Sequence, residues 1–115
     1  MNTKIRDETS NDIEQVRAVL KAAFPTEAEC RLVDALRTNG KAKISLVAAG
    51  GGDEVLGHIL FSPVSTTPPG EAKAIGLAPV AIRPDAQSHG IGSELIREGL
   101  RRGKELGYDY CKVCF

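Results

Sequence analysis

The chain has 115 residues, of which 42% are hydrophobic and 26% are charged. This length and composition predict one globular domain with a buried core and leave no room for a second domain. Fifteen basic residues balance fifteen acidic residues, which excludes a chain drawn to nucleic acid or to an anionic membrane by its overall charge. Any anion site must therefore be built locally.

The N-terminal residues and the cysteines bear on where the protein works. Residues 1–8 turn acidic at Asp7 and contain no apolar run typical of a signal peptide. No other segment approaches the roughly 20 apolar residues that span a bilayer. Three cysteines, an odd number, are more typical of a reducing compartment than of a disulfide framework. We therefore expect a cytoplasmic protein with neither a membrane nor a nucleic acid as its partner.

The first part of the chain predicts a short strand followed by two helices. Residues 3–6 form the strand, and the helix-capping residues 9–12 precede a helix over residues 13–23, whose apolar side chains recur at helical spacing. A proline breaks this helix. The second helix covers residues 27–38 and closes at Gly40.

The spacing then changes to that of strands. Residues 44–49 and 54–66 predict an antiparallel hairpin joined by a glycine-rich turn. Strict alternation gives the second strand two apolar faces, one with Leu56, Leu60 and Val64 and the other with Val55, Ile59 and Phe61. Such a strand lies in a sheet that is covered on both sides. Because the two early helices can cover only one side, a third helix must cover the other.

The remaining residues supply that helix between two strands. Residues 74–82 form the first of these strands. Residues 91–106 form the helix, in which Gly99 and Gly103 are expected to allow close packing on the sheet. Residues 108–115 begin a strand that the helical crossover places parallel to the strand before it.

The loop between the strand and this third helix carries the strongest chemical signal. A strand, a glycine-containing loop and a helix N-terminus expose unpaired backbone N–H groups at the positive end of the helix dipole. Gly90 and Gly92 let a phosphate approach the backbone, and Ser93 offers a hydroxyl group. The segment therefore predicts a diphosphate site that needs no net positive charge.

Three phosphate-binding motifs compete for this loop. A P-loop requires Lys followed by Ser or Thr after its second glycine, whereas Ser93-Glu94 follows here. The dinucleotide fingerprint requires a third glycine where Leu95 stands. The acyl-CoA loop of the GNAT superfamily, Gln/Arg-x-x-Gly-x-Gly/Ala, is matched at every fixed position by residues 87–92, Gln-Ser-His-Gly-Ile-Gly. Alone, this hexapeptide also fits a tight turn, and the order of the elements favours the acyl-CoA loop.

The resemblance to the GNAT superfamily of N-acyltransferases covers essentially the whole chain. Residues 5–12 resemble the family's opening strand and first helix, and residues 57–62 its third strand. Residues 77–84 resemble its fourth strand, most closely that of small bacterial predicted N-acetyltransferases, and residues 91–108 its third helix entering the fifth strand. The resemblance implies an α/β (α+β) fold with a mixed, mostly antiparallel sheet flanked by helices on both faces.

The resemblance also implies which part of the site binds each part of acetyl-CoA, the co-substrate. Backbone groups of Val80, Ala81 and Ile82 would bond the pantetheine arm as if it were an added strand. The diphosphate would be bound by the loop and the start of the helix, at Gln87, Ser88, His89, Gly90, Ile91, Gly92 and Ser93. In the family the fourth and fifth strands separate around the thioester. Pro79, which cannot donate to the ladder, is our hypothesised local cause of that separation.

The implied activity is transfer of an acetyl group from acetyl-CoA to a primary amine of a small molecule or a peptide. A neutral amine attacks the thioester carbonyl directly, while backbone N–H groups donate to the developing oxyanion. The sequence assigns no general base or acid and predicts no metal. Two alternatives are a non-catalytic acyl-CoA-binding module and a degenerate fragment that self-associates.

Three residue patterns leave alternatives open. His89 stands where many relatives carry Arg or Lys, and it is either a phosphate contact or an exposed loop residue. His58 lies between apolar strand residues, which favours a core histidine over a catalytic base. The Cys111-x-x-Cys114 pair points to opposite faces of a strand, which favours a structural role over a zinc or redox site.

The printed chain ends inside an apolar strand, at Phe115. Members of the family continue with a fourth helix and a closing hairpin, which supply the other wall of the cofactor cleft. We therefore expect residues 1–115 to form a single GNAT domain that is incomplete at its C-terminus. The exposed edge of the last strand predicts self-association as a homodimer, or instability.

Overall fold

A computed structural model describes residues 3–64 and 73–113 of the chain. The strands are β1 (Lys4–Asp7), β2 (Ile44–Ala49), β3 (Val55–Val64), β4 (Ala74–Ile82) and β5 (Tyr110–Val113). The helices are α1 (Ile13–Ala23), α2 (Ala28–Thr38) and α3 (Ile91–Glu105). The predicted order of elements is confirmed. No helix among the described residues has the length and hydropathy that crossing a bilayer requires.

The five strands lie side by side in chain order in one sheet. The first four form antiparallel neighbours, whereas β5 is parallel to β4. Parallel neighbours need a crossover connection rather than a tight turn, and α3 supplies it. The predicted fold class, a mixed and mostly antiparallel sheet, is confirmed.

Two buried apolar clusters cover the two faces of the sheet. Val16, Val33 and Leu60 meet on the face under α1 and α2. Ile59 and Leu95 meet on the opposite face, under α3. Burying each side chain of this kind stabilises the fold by about 1.5–3 kcal/mol. The prediction that a third helix must cover the second face is confirmed.

A β-bulge corrects the predicted faces of β3. Ala48 pairs with Gly57, but Ala49 pairs with Val55, so Leu56 is an extra residue in the ladder. Leu56 therefore packs in the cluster under α3, and Val55 packs in the cluster under α1 and α2. The prediction for these two side chains was wrong, because strict alternation holds only along an unbroken ladder.

A second irregularity lies at Pro79, where the sequence predicts one. Ile59 pairs with Val80 and Phe61 pairs with Leu77, so β4 contains one residue more than β3 over this stretch. Proline has no N–H to donate, and a break in the ladder therefore costs least at this position.

Glycine is required at only one of the two α3 positions where close packing is predicted. A Cβ atom on Gly99 would lie 2.1 Å from Cε1 of Phe61, well inside contact distance. A Cβ atom on Gly103 would lie 3.8 Å from Ile75 and 3.9 Å from Ile44, which is ordinary contact. The prediction is confirmed for Gly99, whereas the buried Gly103 lies against the sheet with room for a Cβ atom.

Candidate functional site

The outer edge of β4, on the side of β5, forms the first part of the candidate site. In the described chain β5 pairs with β4 only between Ala74 and Leu77. Residues 80–82 extend beyond this pairing. Among the described residues, no strand lies beside residues 80–82 on this side. The N–H and C=O groups that point away from β3 there therefore form an open strand edge.

The ladder with β3 decides which backbone groups face outward. Ile82 lies opposite Gly57, and the N–H of Arg83 donates to the carbonyl of Leu56 at 2.8 Å. This pattern marks a non-hydrogen-bonded pair, in which the N–H and C=O of Ile82 point away from β3. By alternation, the backbone groups of Val80 also point outward.

Ala81 differs from its two neighbours. It pairs with His58, and the alternation of the ladder turns its N–H and C=O toward β3. Its side chain packs in the cluster under α1 and α2. The expectation that Ala81 bonds the pantetheine arm through its backbone is therefore corrected, because those groups serve the sheet itself.

The loop after β4 is fixed by two side-chain contacts. Arg83 and Asp85 form a two-point ion pair, with N–O distances of 2.6 Å and 2.8 Å. Hydrogen bonding to the guanidinium lowers the pKa of Asp85, and the same bond raises the pKa of Arg83. Gln87 donates from Nε2 to the carbonyl of Ile82 at 3.2 Å. The loop therefore folds back onto the end of β4.

The N-terminus of α3 presents backbone N–H groups that have no hydrogen-bond acceptor among the described residues. Gly90 is the N-cap, with a φ of 79°, and no side chain caps the helix. The hydrogen bond from the N–H of Glu94 to the carbonyl of Gly90 is 3.1 Å long. Within residues 3–64 and 73–113, no acceptor contacts the N–H groups of residues 88–93. These groups lie at the positive end of the helix dipole.

Among the described residues, the space beside Gly90 at this helix start is open. A Cβ atom placed on Gly90 would have no neighbour within 4 Å. Gln87, Ser88, His89 and Ser93 are exposed, whereas Ile91 is buried and holds the helix start on the sheet. The exposure of His89 fits a phosphate contact and a solvated loop residue equally well.

His58 lies in a buried polar cluster on the other face of the sheet. Its side chain has no solvent exposure, and its Nε2 is 2.8 Å from Oγ of Ser45. Ser45 donates to Oε1 of Glu8 at 3.1 Å, and Glu8 forms an ion pair with Arg37. The cluster joins residues from two strands, α2 and the segment after β1.

The hydrogen bonds of this cluster fix the state of the His58 ring. Because Ser45 donates its proton to Glu8, its oxygen accepts from Nε2–H, and Nδ1 carries the free lone pair. Nδ1 has no hydrogen-bond partner among the described residues. Burial, followed by the charge of Arg37, lowers the pKa of His58 to about 3. The ring is therefore neutral at pH 7.

The cluster is not a hydrolytic triad. In a triad the hydroxyl and the carboxylate lie at opposite ring nitrogens. Here Oγ of Ser45 is 2.8 Å from Nε2 of His58, and the carboxylate of Glu8 is 3.6 Å from the same nitrogen. The prediction that His58 lies in the core is confirmed by its burial, whereas the expectation that its polar atoms are satisfied holds for Nε2 and not for Nδ1 among the described residues.

One cysteine of the Cys111-x-x-Cys114 pair lies in the described part of the chain. Cys111 lies in β5, and Cys114 lies outside the described residues. In the described chain, no group of three or more His, Cys, Asp and Glu side chains is placed to hold a metal ion.

Comparison with known proteins agrees with this architecture. Residues 13–114 match the profile of the Acetyltransferase (GNAT) family. The chain is 35% identical over 105 residues to the uncharacterized N-acetyltransferase YhbS of Escherichia coli K12, a match that covers 90% of this chain and 62% of YhbS. It therefore spans less than two thirds of the length of that relative.

Two solved structures share the fold closely. A GNAT family acetyltransferase from Brucella melitensis in complex with acetyl-CoA superposes with a TM-score of 0.90 and 38% identity, covering 97% of this chain and 75% of that one. YhbS from Escherichia coli in complex with CoA superposes with a TM-score of 0.87 and 32% identity, covering 94% and 59% of the two chains. The element order, the mixed sheet and these matches together show that the chain belongs to the GNAT acetyltransferase family.

Proposed function

We propose that the chain binds acetyl-CoA along the outer edge of β4 and the start of α3, and transfers its acetyl group to a primary amine of a small molecule or a peptide. The unpartnered N–H groups of residues 88–93 carry this proposal. Its second support is the pair of similar structures that contain acetyl-CoA and CoA.

The diphosphate of the cofactor would be held by backbone rather than by cationic side chains. Residues 87–93 contain no Lys or Arg, and the nearby guanidinium of Arg83 is paired with Asp85. The helix start offers roughly half a positive charge together with free N–H donors. Ser88, Gly90, Gly92 and the residues between them would therefore bind the two phosphates, with the hydroxyl of Ser93 as a further donor.

The pantetheine arm would lie beside β4 as a short added strand. Val80 and Ile82 turn their backbone groups toward this edge, and main-chain hydrogen bonds of this type give affinity in strand addition. Ala81 does not take part, because its backbone groups face β3.

The proposed chemistry is direct transfer. The lone pair of a neutral amine attacks the thioester carbonyl, so that a C–N bond forms and the C–S bond breaks. The oxyanion that develops would accept from an outward N–H of β4. The amine loses a proton and the departing thiolate gains one. His58 is unsuited to remove that proton, because its ring is buried and its pKa is about 3.

We also propose two features of how the chain is organised. Residues 1–115 would form a single GNAT domain. A homodimer would form through β5, which has β4 on one side and, among the described residues, no strand on the other. Such an edge offers unpaired backbone groups to a second copy.

Binding and turnover test the proposal in two steps. Isothermal titration with CoA measures binding, and release of free thiol from acetyl-CoA over a panel of amines measures transfer. We expect Gly92→Asp to weaken CoA binding at least about tenfold, because its carboxylate repels the diphosphate and occupies the N–H groups. Gly92→Asn is the matched neutral control and should weaken binding less. An acidic residue in the first turn should leave the thermal stability unchanged or slightly raised.

The outcomes separate the alternatives. A wild-type chain that gives no heat with CoA contradicts the proposal. Binding of CoA without thiol release from any amine would replace it with a non-catalytic acyl-CoA-binding module. Equal effects of Asp and Asn at position 92 would show that bulk, rather than charge, matters at the start of α3.

A further inference from the structure

We propose that the acceptor amine carries an anionic group, a carboxylate or a phosphate, which Lys112 and Ser62 bind beside the open edge of β4. This inference rests on the proposed function and narrows the class of acceptor. Lys112 would determine specificity, since it binds the acceptor at a distance from the amine that reacts.

A row of three residues crosses the sheet and carries this inference. Ser62 pairs with Gly76 in β4, and Gly76 pairs with Lys112 in β5. Ser62 follows Phe61, which is buried in the cluster under α3. Lys112 follows Cys111, which packs against the same cluster. Because successive strand residues point to opposite faces of a sheet, the side chains of Ser62 and Lys112 point to the face of α1 and α2.

The middle of the row has no side chain of its own. A Cβ atom on Gly76 would lie 2.7 Å from Cγ1 of Val64, so this methyl group lies directly over the glycine. Neighbouring strands are roughly 4.8 Å apart, which places the backbones of Ser62 and Lys112 roughly 10 Å from each other. The long stem of Lys112 can reach over the methyl group. A small anion can therefore be bound between the ammonium group and the hydroxyl group.

The two polar side chains of the row are available to a ligand. Lys112 is exposed, and no carboxylate among the described residues pairs with its ammonium group. The hydroxyl group of Ser62 makes no hydrogen bond within the described part of the chain. By contrast, Arg17 in α1 and Arg37 in α2 are both paired with carboxylates. Lys112 therefore supplies a positive charge that its neighbours on this face do not.

The helices leave this part of the sheet uncovered by their apolar residues. The cluster under α1 and α2 extends to Leu60 in β3 and Ala81 in β4, and the row lies beyond both. On the opposite face, Val80 and Ile82 pack against the cluster under α3. An acceptor that approaches the edge of β4 from the face of α1 and α2 would therefore pass the row.

The row also lies next to the point where the described pairing of β4 with β5 ends. Leu77 and Val113 form the last described pair, one residue beyond the row. The proposed pantetheine arm runs along β4 from Ile82 past Val80 and so brings its thioester end toward this point. Four residues of strand, roughly 13 Å, separate Val80 from the row. The side chain of Lys112 shortens that distance, so an acceptor with several carbon atoms between its amine and its anionic group would reach both.

The test compares two acceptors that differ in one group. 4-Aminobutyrate carries a carboxylate where 4-aminobutyramide carries a neutral amide, and both have the same amine. Titrations of the CoA-saturated chain, followed by ¹⁵N–¹H NMR, give the two dissociation constants. We expect the wild-type chain to bind 4-aminobutyrate about five- to tenfold more tightly, the weight of one charge-assisted hydrogen bond. The amides of Ser62 and Gly76 should shift as it binds.

Three variants isolate the charge at position 112. Lys112→Gln removes it and should reduce the preference to less than about twofold. Lys112→Arg retains the charge and should retain the preference. Lys104→Gln removes an exposed cation from α3, on the other face of the sheet, and should leave the preference at its wild-type value.

A third acceptor separates the two kinds of anionic group. 3-Aminopropylphosphonate has three carbon atoms between its amine and its phosphonate, as 4-aminobutyrate has between its amine and its carboxylate. Tighter binding of the phosphonate assigns the site to phosphate-bearing amines, and tighter binding of the carboxylate assigns it to amino acids.

Equal binding of 4-aminobutyrate and 4-aminobutyramide by the wild-type chain would overturn the inference. A preference that survives in Lys112→Gln, or a CoA-saturated chain that binds none of the three acceptors, would also overturn it. If CoA itself causes no shifts, the proposed function has failed, and the two failures are thereby distinguished.

Discussion

His58 shows how a single buried side chain couples the fold to pH. Its apolar neighbours in the sequence predict a core histidine, and that prediction is confirmed. Its partners could not be predicted, because Ser45 lies 13 residues away and Ser45 and Glu8 are 37 residues apart. Only the sheet and α2 bring these groups and Arg37 together. The contact of Gln87 with Ile82 could not be predicted either, because it forms only when the loop folds back onto the end of β4.

We expect His58 to make the protein less stable as the pH falls from about 6.5 toward 3. The folded state holds the pKa at about 3, while an unfolded histidine has its ordinary value of about 6.5. The unfolded chain therefore takes up the proton first, and stability that is fully present above pH 6.5 is lost below it. Between pH 7.5 and pH 5 the loss should be about 2 kcal/mol, measured by urea unfolding.

Two substitutions isolate this contribution. His58→Gln removes the titrating ring and should abolish most of the loss of unfolding free energy between pH 7.5 and pH 5. Carboxylates contribute little to this loss, because the range lies above their ordinary pKa values. His89→Gln changes the chain's other histidine, which is exposed, and should leave the loss as it is. An unaltered pH dependence in His58→Gln would show that the ring does not stay neutral in the folded state.

The sequence predicts which segments form helices and strands better than it predicts how the strands pair. The start of α3 follows from Gly90 and the apolar periodicity after it, and the irregular stretch of β4 follows from Pro79. The bulge at Leu56 could not be predicted, because alternation along β3 looks regular until the strand is paired with β2. The same limit applies to Ala81, since the direction of its backbone groups depends on register rather than on residue type.

The packing of α3 on β3 gives a matched pair of substitutions in one helix. Gly99→Ala places a methyl group against Phe61 and should lower the free energy of unfolding by up to about 2 kcal/mol, because an overpacking cost of about 1–3 kcal/mol is partly offset by the better helix propensity of alanine, about 1 kcal/mol. Gly103→Ala adds only ordinary contacts and should leave that free energy unchanged or raise it by up to about 1 kcal/mol. Denaturant unfolding measures both. A Gly99→Ala chain as stable as Gly103→Ala would mean that Phe61 moves aside at little cost.

Taken together, the described residues of the fold present two neighbouring sets of backbone groups that have no backbone partner among them. One is the outward edge of β4 at Val80 and Ile82, and the other is the run of N–H groups at residues 88–93. The loop motif predicts the second only together with the order of the elements, because the hexapeptide alone also fits a tight turn. The first required the register of β4 on β3. Their adjacency along the chain supports our proposal that an extended ligand with a diphosphate, such as acetyl-CoA, binds to both.

A two-dimensional ¹⁵N–¹H NMR titration of the chain with CoA tests most directly whether the cofactor binds at the edge of β4 and at the start of α3. We expect the largest shifts at the amides of residues 88–93 and at Val80 and Ile82, whereas Ala81, whose N–H faces β3, and the residues of α2 should change little. Saturable shifts confined to other parts of the chain, or amides at the start of α3 that do not respond to CoA, would contradict the proposed site.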